Sequence, residues 1–467
     1  MLTECAAVIL AAGKGTRMKS RLAKVLHPVA GVPMLRHVID LVQSLGIEKN
    51  VVIVGHQAEA VSSLVSEKGS AALLQDPPKG TGDAVLQAKT RLSDFQGPVL
   101  ILNGDTPLLG KETVERFVEY YQKEQAAVGL LTVSLDHPAG YGRVVRKANG
   151  AIARIVEEKD ASPDERRIRE VNAGVYLCDA AFLFKALSKI KPDNQQKEYY
   201  LTDIIGIAVS EGLPLVGMEA PSEEVIGINS RADLAKAEHV MRSRINDHWM
   251  RQGVTMIDPT QVWIDATVTL GEDTVLYPGV ALEGGTTVGA GVTVYPARIR
   301  DSHIGDGVLI KDHCVVDQAE VAANVTLGPF AHLRPGAVIQ KSAKVGNFVE
   351  VKKSVLGEGS KASHLSYLGD AKIGKNVNIG AGTITCNYDG ERKFETVIED
   401  DVFIGSDTQL VAPVRVGKGA LIGAGTTVTE DVPPDALALS RLKQENKADW
   451  VKQRKRLRKR PKEKQPE

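Results

Sequence analysis

The chain has 467 residues, enough for two or three domains with separate cores. Its 58 basic residues balance 58 acidic ones, so no global field points to a nucleic-acid or membrane partner. Four scattered cysteines lack metal-ligand spacing, and with neither a signal peptide nor an apolar stretch of transmembrane length they predict a reducing, cytoplasmic setting.

Residues 1 to about 227 alternate apolar runs with amphipathic stretches. Ala6–Leu10, Val51–Val54 and Val99–Leu102 read as strands, with helical patterns at Met34–Leu45 and Thr81–Thr90 between them. That alternation predicts a mostly parallel sheet covered on both faces, with ligands at the carboxyl ends of its strands.

The segment Leu10-Ala11-Ala12-Gly13-Lys14-Gly15-Thr16-Arg17-Met18 directly follows the first strand. Its glycines let the backbone approach phosphate oxygens, and Lys14, Arg17 and then Lys24 supply charge suited to a triphosphate. It is neither a dinucleotide fingerprint nor a Walker A loop, and an ordinary tight βα turn is the alternative reading. Asn103-Gly104-Asp105 ends another apolar strand, where Asp105 suits either a Mg²⁺ ion beside phosphates or a simple turn cap. Residues 231–251 contain no Gly or Pro and predict a connecting helix.

From about residue 252 to 437 an aliphatic residue recurs every six positions. The beat runs Leu270, Leu276, Leu282, Val288, Val294, then Val321, Leu327, Leu333, Ile339, Val345, Val351, and again Ile398, Ile404, Leu410, Val416, Ile422, Val428. Gly commonly follows, as at Gly289, Gly346, Gly374, Gly380 and Gly405. Neither a helical stripe nor simple alternation gives a beat of six; a β-solenoid does, with one short strand per hexapeptide. The scarcity of aromatics, 3 Trp, 10 Tyr and 8 Phe, suits its narrow interior. Two interruptions stand out: polar and aromatic residues at Ser363-His364-Leu365-Ser366-Tyr367, and an extruded loop at Asn387–Lys393. The final run Lys452–Lys464 is basic, which reads as a solvated tail or as a contact for an anionic partner.

The whole chain except the tail resembles the bacterial bifunctional N-acetylglucosamine-1-phosphate uridyltransferases and glucosamine-1-phosphate acetyltransferases. The resemblance is carried by LAAGKGTRM (10–18), QDPPKGTGDA (75–84), NGDTPL (103–108), GYGRV (140–144), IVEEKDA (155–161), VNAGVY (171–176), EYYLTDI (198–204) and GINS (227–230), then by HLSYLGDA and NIGAGTITCNYDG in the solenoid. It implies a Rossmann-like nucleotidyltransferase domain over residues 1–228 and a linker helix over 229–251. A left-handed parallel β-helix with acetyltransferase activity would follow over 252–437, then a C-terminal segment over 438–467.

In the amino half the resemblance implies that Leu10, Gly13, Arg17 and Lys24 meet the nucleotide, and that Gln75, Gly80 and Thr81 surround uracil. Gly142, Glu157 and Asn172 would bind the N-acetylglucosamine moiety, and Asp105 and Asn229 would hold Mg²⁺. Asn103 departs from relatives that carry an aromatic residue there. In the solenoid, His364 would be the base that activates the glucosamine amine. Arg334, Lys352, Tyr367, Asn378 and Lys393 would bind the sugar 1-phosphate, three of them cationic as a phosphate dianion requires. Ala381, Asn387, Tyr388, Ser406, Ala424 and Arg441 would line the acetyl-CoA site, although small residues at 381 and 424 are also what a tight coil needs. UTP and acetyl-CoA would be co-substrates, the assembly a homotrimer, and the product a precursor of peptidoglycan and, in many bacteria, of lipopolysaccharide.

Two rival readings give different outcomes. A nucleotidyltransferase for another sugar, with a purely structural solenoid, predicts that His364→Ala changes nothing enzymatic. A non-catalytic relative predicts no turnover for Asp105→Ala to abolish.

Overall fold

The computed structural model describes residues 2–440 and 443–458, and divides into two compact units. One comprises residues 1–253 with 258–268 and 282–284; the other comprises 254–257, 269–281 and the residues from 285 onward.

The first unit is built on a sheet whose central strands read as unbroken aliphatic runs because helices cover both faces. Its strands are β1 (Ala6–Ala11), β2 (Lys49–Val54), β3 (Ala71–Leu74), β4 (Pro98–Asn103), β5 (Val128–Ser134), β6 (Glu170–Asp179) and β7 (Leu215–Glu219), in the spatial order β7-β5-β6-β4-β1-β2-β3. β4, β1, β2 and β3 run parallel, and β6 lies antiparallel between β4 and β5. Alternate residues of β1 point to opposite faces. Ala7 and Ile9 join one fully buried cluster with Leu35, Ile39 and Phe117, while Ala6 and Val8 join another with Val85, Leu183 and Ile204.

The expected helix over 81–90 forms in two pieces, Thr81–Gln87 and Lys89–Leu92, parted at Ala88. The one expected over 231–251 spans Arg231–Arg251 and begins at a capping box, in which the Ser230 hydroxyl accepts from the Asp233 amide and the Asp233 carboxylate accepts from the Ser230 amide.

In the second unit the beat of six becomes stacked parallel strands of two or three residues. Every aliphatic residue of the beat is buried. Partners one coil apart form columns. Val345, Ala362, Ile379, Ile404 and Ile422 make one column, and Leu356, Ile373, Ile398 and Val416 another. The glycine after the aliphatic residue answers to close stacking of corners: a methyl group at Gly405 would lie 2.5 Å from the Ala424 backbone nitrogen.

Two strands break the pattern of short pieces. Lys344–Lys352 and Lys361–Gly369 each run nine residues through the corner that interrupts the other coils, paired along most of their length. The loop expected at 387–393 is extruded between the strands Ile384–Cys386 and Thr396–Ile398, closed by an antiparallel bridge between Tyr388 and Lys393. Near the end of the described chain, Trp450–Arg458 is helical; residues 459–464 of the basic run lie outside the described residues.

Candidate functional sites

In the first unit the carboxyl ends of β1 and β4 meet, with the Gly104 amide donating to the Leu10 carbonyl at 2.9 Å. A cleft of about 550 Å³ opens there, lined by Leu10, Gly13, Lys14, Lys24, Gln75, Gly80, Thr81, Asn103 and Asp105 among others. The Lys24 ammonium forms an ion pair with Asp105 and donates to the Asn229 side-chain oxygen at 3.2 Å. Arg17, on the short turn Thr16–Met18, donates to the same oxygen at 2.8 Å. Asn229 is brought close because the Ile228 amide donates to the Asp105 carbonyl at 3.0 Å. Two side-chain oxygens, of Asp105 and Asn229, thus converge on the Lys24 ammonium, with the Arg17 guanidinium on the Asn229 oxygen as well.

That donor set suits a small hard cation. Mg²⁺ is commonly held by one or two protein oxygens, with substrate phosphates and water filling the rest. Among the described residues no group of three or more His, Cys, Asp or Glu side chains could hold a metal unaided, which fits a site completed by substrate.

At the other end of the cleft the buried Gln75 amide nitrogen donates to the Gly80 carbonyl at 3.0 Å and to Asp83 at 2.7 Å, fixing the turn into the Thr81–Gln87 helix. Gly80 has φ +114, and a methyl group there would sit 2.6 Å from the Tyr199 carbonyl, so only glycine fits. Thr81 accepts from the Leu201 amide at 3.0 Å.

Gly142, Glu157 and Asn172 also come together. The Asn172 amide donates to the Gly142 carbonyl at 2.9 Å, and a methyl group on Gly142 would lie 3.4 Å from the Glu157 carboxylate. Burial pushes the Glu157 carboxyl above its ordinary value despite the Thr202 hydroxyl donating to it at 3.1 Å. Thr202 is one polar partner that residue patterns alone did not single out. Others are Arg143 and Glu158: Arg143 is 1% exposed, pairs with Glu158 at 2.7 Å and donates to the Tyr141 carbonyl, while Glu158 accepts from the Gly140 amide at 3.2 Å. Together they grip the Gly140–Gly142 turn from both sides. Asn103 donates to the Gly174 carbonyl at 3.4 Å.

In the second unit His364 is exposed on the nine-residue strand Lys361–Gly369, its Nδ1 2.6 Å from Asn347 Oδ1 one coil below. Extending the paired register by two residues places Ala381, Ser406 and Ala424 in the same corner column above it. Ser406 and Ala424 are exposed. Coils lie about 4.8 Å apart, so this column offers a long path of small side chains leading away from the imidazole.

On the adjoining face Arg334 pairs with Glu350 at 2.7 Å, and Glu350 stands opposite Tyr367. Lys352 lies 3.5 Å from Asp370, which also accepts from the buried Asn387 amide. Lys393, on the extruded loop, is held below the ordinary lysine value first by its hydrogen bond with Lys352 and then by that residue's charge; Lys352 is raised by the same contact. Two neighbouring positive side chains there would suit an anionic group. Tyr388 is exposed on the same loop, and Asn378 lies on the outer face between Lys361 and Phe403 in register. Arg441 lies outside the described residues.

The MobA-like NTP transferase domain matches residues 7–173, and six bacterial transferase hexapeptide repeats match residues 395–430. The chain is 51% identical to the bifunctional protein GlmU of Halalkalibacterium halodurans, over 95% of this chain and 98% of that protein. It is 52% identical to the protein of the same name from Trichlorobacter lovleyi, over 95% and 97%. With that of Exiguobacterium sibiricum it shares 51% identity over 95% and 99%.

Proposed function

The chain belongs to the bifunctional GlmU family, and from that premise we propose how its residues divide the two reactions. Its carboxyl half acetylates glucosamine 1-phosphate with acetyl-CoA; its amino half joins the resulting N-acetylglucosamine 1-phosphate to UTP, releasing pyrophosphate and giving UDP-N-acetylglucosamine. The observation that carries this reading is identity of about half the positions over nearly the full length of both chains. Functionally, residues 1–228 serve uridylyl transfer, 229–251 connect, 252–437 serve acetyl transfer, and 438–467 form a C-terminal segment.

In uridylyl transfer the sugar phosphate oxygen attacks the α-phosphorus of UTP, so the protein supplies alignment and charge rather than a nucleophile. Gln75, Gly80 and Thr81 form the pocket wall for uracil, and Leu10 and Gly13 lie against the nucleotide. Arg17 and Lys24 neutralise the triphosphate as charge shifts to the leaving pyrophosphate. The divalent cation the family requires, which we take to be Mg²⁺, would be held by Asp105 and Asn229 and would screen the phosphate charges. Lys24 then passes from these two oxygens to the phosphates. Gly142, Glu157 and Asn172 orient the acetamido sugar.

In acetyl transfer the substrate ammonium must lose a proton before its nitrogen can attack the thioester carbon; the carbon–sulfur bond then breaks, and the CoA sulfur leaves as the thiol with the second proton lost by the nitrogen. His364 accepts that proton as the general base. Lys352, Lys393 and Arg334 take the 1-phosphate, with Tyr367 and Asn378 beside the sugar. Ala381, Ser406 and Ala424 leave room for the extended acetyl-CoA, with Tyr388 at its margin; Arg441, outside the described residues, is a further proposed contact of acetyl-CoA. Asn387 commits one amide hydrogen to Asp370 and has a second for the tetrahedral oxyanion. We further propose that the chain works as a cytoplasmic homotrimer, with the acetyl site completed between protomers. No helix among the described residues is long and apolar enough to cross a membrane.

The direct test is thiol release from acetyl-CoA with glucosamine 1-phosphate and no UTP, beside pyrophosphate release from UTP with N-acetylglucosamine 1-phosphate and no acetyl-CoA. Both products are expected. A wild type that releases pyrophosphate but no thiol would make the solenoid a scaffold.

A further inference from the structure

We infer that Asn347 is a positioning residue for acetyl transfer, selecting the tautomer of His364 that can act as a base. The inference rests on the assignment of His364 as that base.

The two residues meet because of the two nine-residue strands. Elsewhere in the solenoid the chain breaks at this corner, and the described strands are two or three residues long. Here Lys344–Lys352 and Lys361–Gly369 continue through it, with Asn347 paired to His364 at a separation of 17 residues. Gly346 makes this possible, since any side chain on it would strike the Ser363 backbone. The amide and the imidazole are therefore stacked by backbone register rather than by the reach of flexible side chains.

A side-chain amide oxygen only accepts hydrogen bonds. At 2.6 Å from Asn347 Oδ1, His364 Nδ1 must be the donor, so in the neutral ring its proton sits on Nδ1. The lone pair is then on Nε2, at the far side of the ring from Asn347, where a substrate amine can deliver a proton. The same contact fixes the plane of an otherwise exposed ring. A ring with the opposite tautomer would present N–H to the amine and could not take its proton. No other coil of the His364 column sets such a group beneath a base: the next positions are Ala381, Ser406 and Ala424.

The test compares Asn347→Ala, Asn347→Asp and His364→Ala in the full-length protein by thiol release, with pyrophosphate release from the same preparations and sizing chromatography as controls of folding. Asn347→Ala should lower kcat for acetyl transfer about 10- to 100-fold, part of the ~10²–10⁴ a general base supplies. KM for acetyl-CoA and for glucosamine 1-phosphate should stay within about 2-fold, because the inference gives Asn347 no part in binding either. Asn347→Asp keeps an acceptor oxygen and should retain kcat within about 5-fold. Wild-type kcat in Asn347→Ala, or Asn347→Asp as impaired as Asn347→Ala, overturns the inference while leaving His364 as the base. An active His364→Ala would instead remove the assignment beneath it.

Discussion

The two halves assemble their chemistry in opposite ways. In the amino half, Lys24 reaches Asp105 across 81 residues and Asn229 across 205, and each partner arrives on a different element. In the solenoid, Asn347 and His364 are 17 residues apart, Lys352 and Asp370 18, because each coil adds one layer to the same corner. Convergence by topology makes a closed cleft whose parts depend on the whole sheet. Convergence by register makes an open column whose parts depend mainly on adjacent coils. The first arrangement suits gripping a triphosphate; the second suits laying out a long cofactor.

Independence of the halves can be broken at its strongest point first. His364→Ala should cut acetyl transfer about 10³-fold and leave pyrophosphate release unchanged. A parallel fall in both would mean that the halves share more than a chain. Asp105→Asn removes the charged oxygen at the cleft and should cost uridylyl transfer about 10²-fold, with thiol release as the unaffected control. Ile304 is fully buried in the solenoid, and Ile304→Ala should destabilise that half by about 2–5 kcal/mol. Calorimetry should then show one transition moving down and the other staying, whereas a shift of both would contradict separate units.

A smaller effect separates the turn at Gly140–Gly142 from the rest of the cleft. Glu158→Ala removes the acceptor of the Gly140 amide and the ion-pair partner of Arg143, and should raise KM for N-acetylglucosamine 1-phosphate about 3- to 10-fold while KM for UTP holds; equal increases in both would refute local control. The smallest concerns Glu157, whose carboxyl is raised by burial. A raised carboxyl pKa means that the folded protein holds the proton longer than the unfolded chain, so stability falls as pH rises from the unfolded value through the folded one. Glu157→Gln should therefore melt a few degrees above wild type near pH 8 but not below about pH 4. Equal melting temperatures at both pH values would remove the burial penalty.

Legibility in the sequence follows the same division. The beat at Val345, Ile404 and Ile422 states the solenoid outright, since a period visible along the chain is the period of the coil. The β-strands of the amino half were readable as aliphatic runs, but nothing local in Asp105 or Asn229 says that they meet; the motif blocks supplied that. Nothing local singles out Asn347, because its pairing depends on a strand continuing through a corner, and polar residues at corners are ordinary in a solenoid. The burial of Arg143 is not legible in its motif block because a fully buried guanidinium is rare, and its partner Glu158 reads as one more surface charge. Lys24 reads from the sequence as a phosphate contact, and its ion pair with Asp105 and hydrogen bond to Asn229 are legible only in the fold.

The extruded loop carries a consequence for how such a chain can change. It lengthens one turn, so that Asn376 and Asp401 are 25 residues apart instead of 16 to 18, yet Ile379 still stacks on Ile404. Added residues leave the stack at a corner and return to it, so the layers above need no readjustment. One residue inserted within a strand would instead rotate every later layer out of phase. Corners of this solenoid are therefore places where new chemistry can be acquired piecemeal, with inheritance of the old frame left intact.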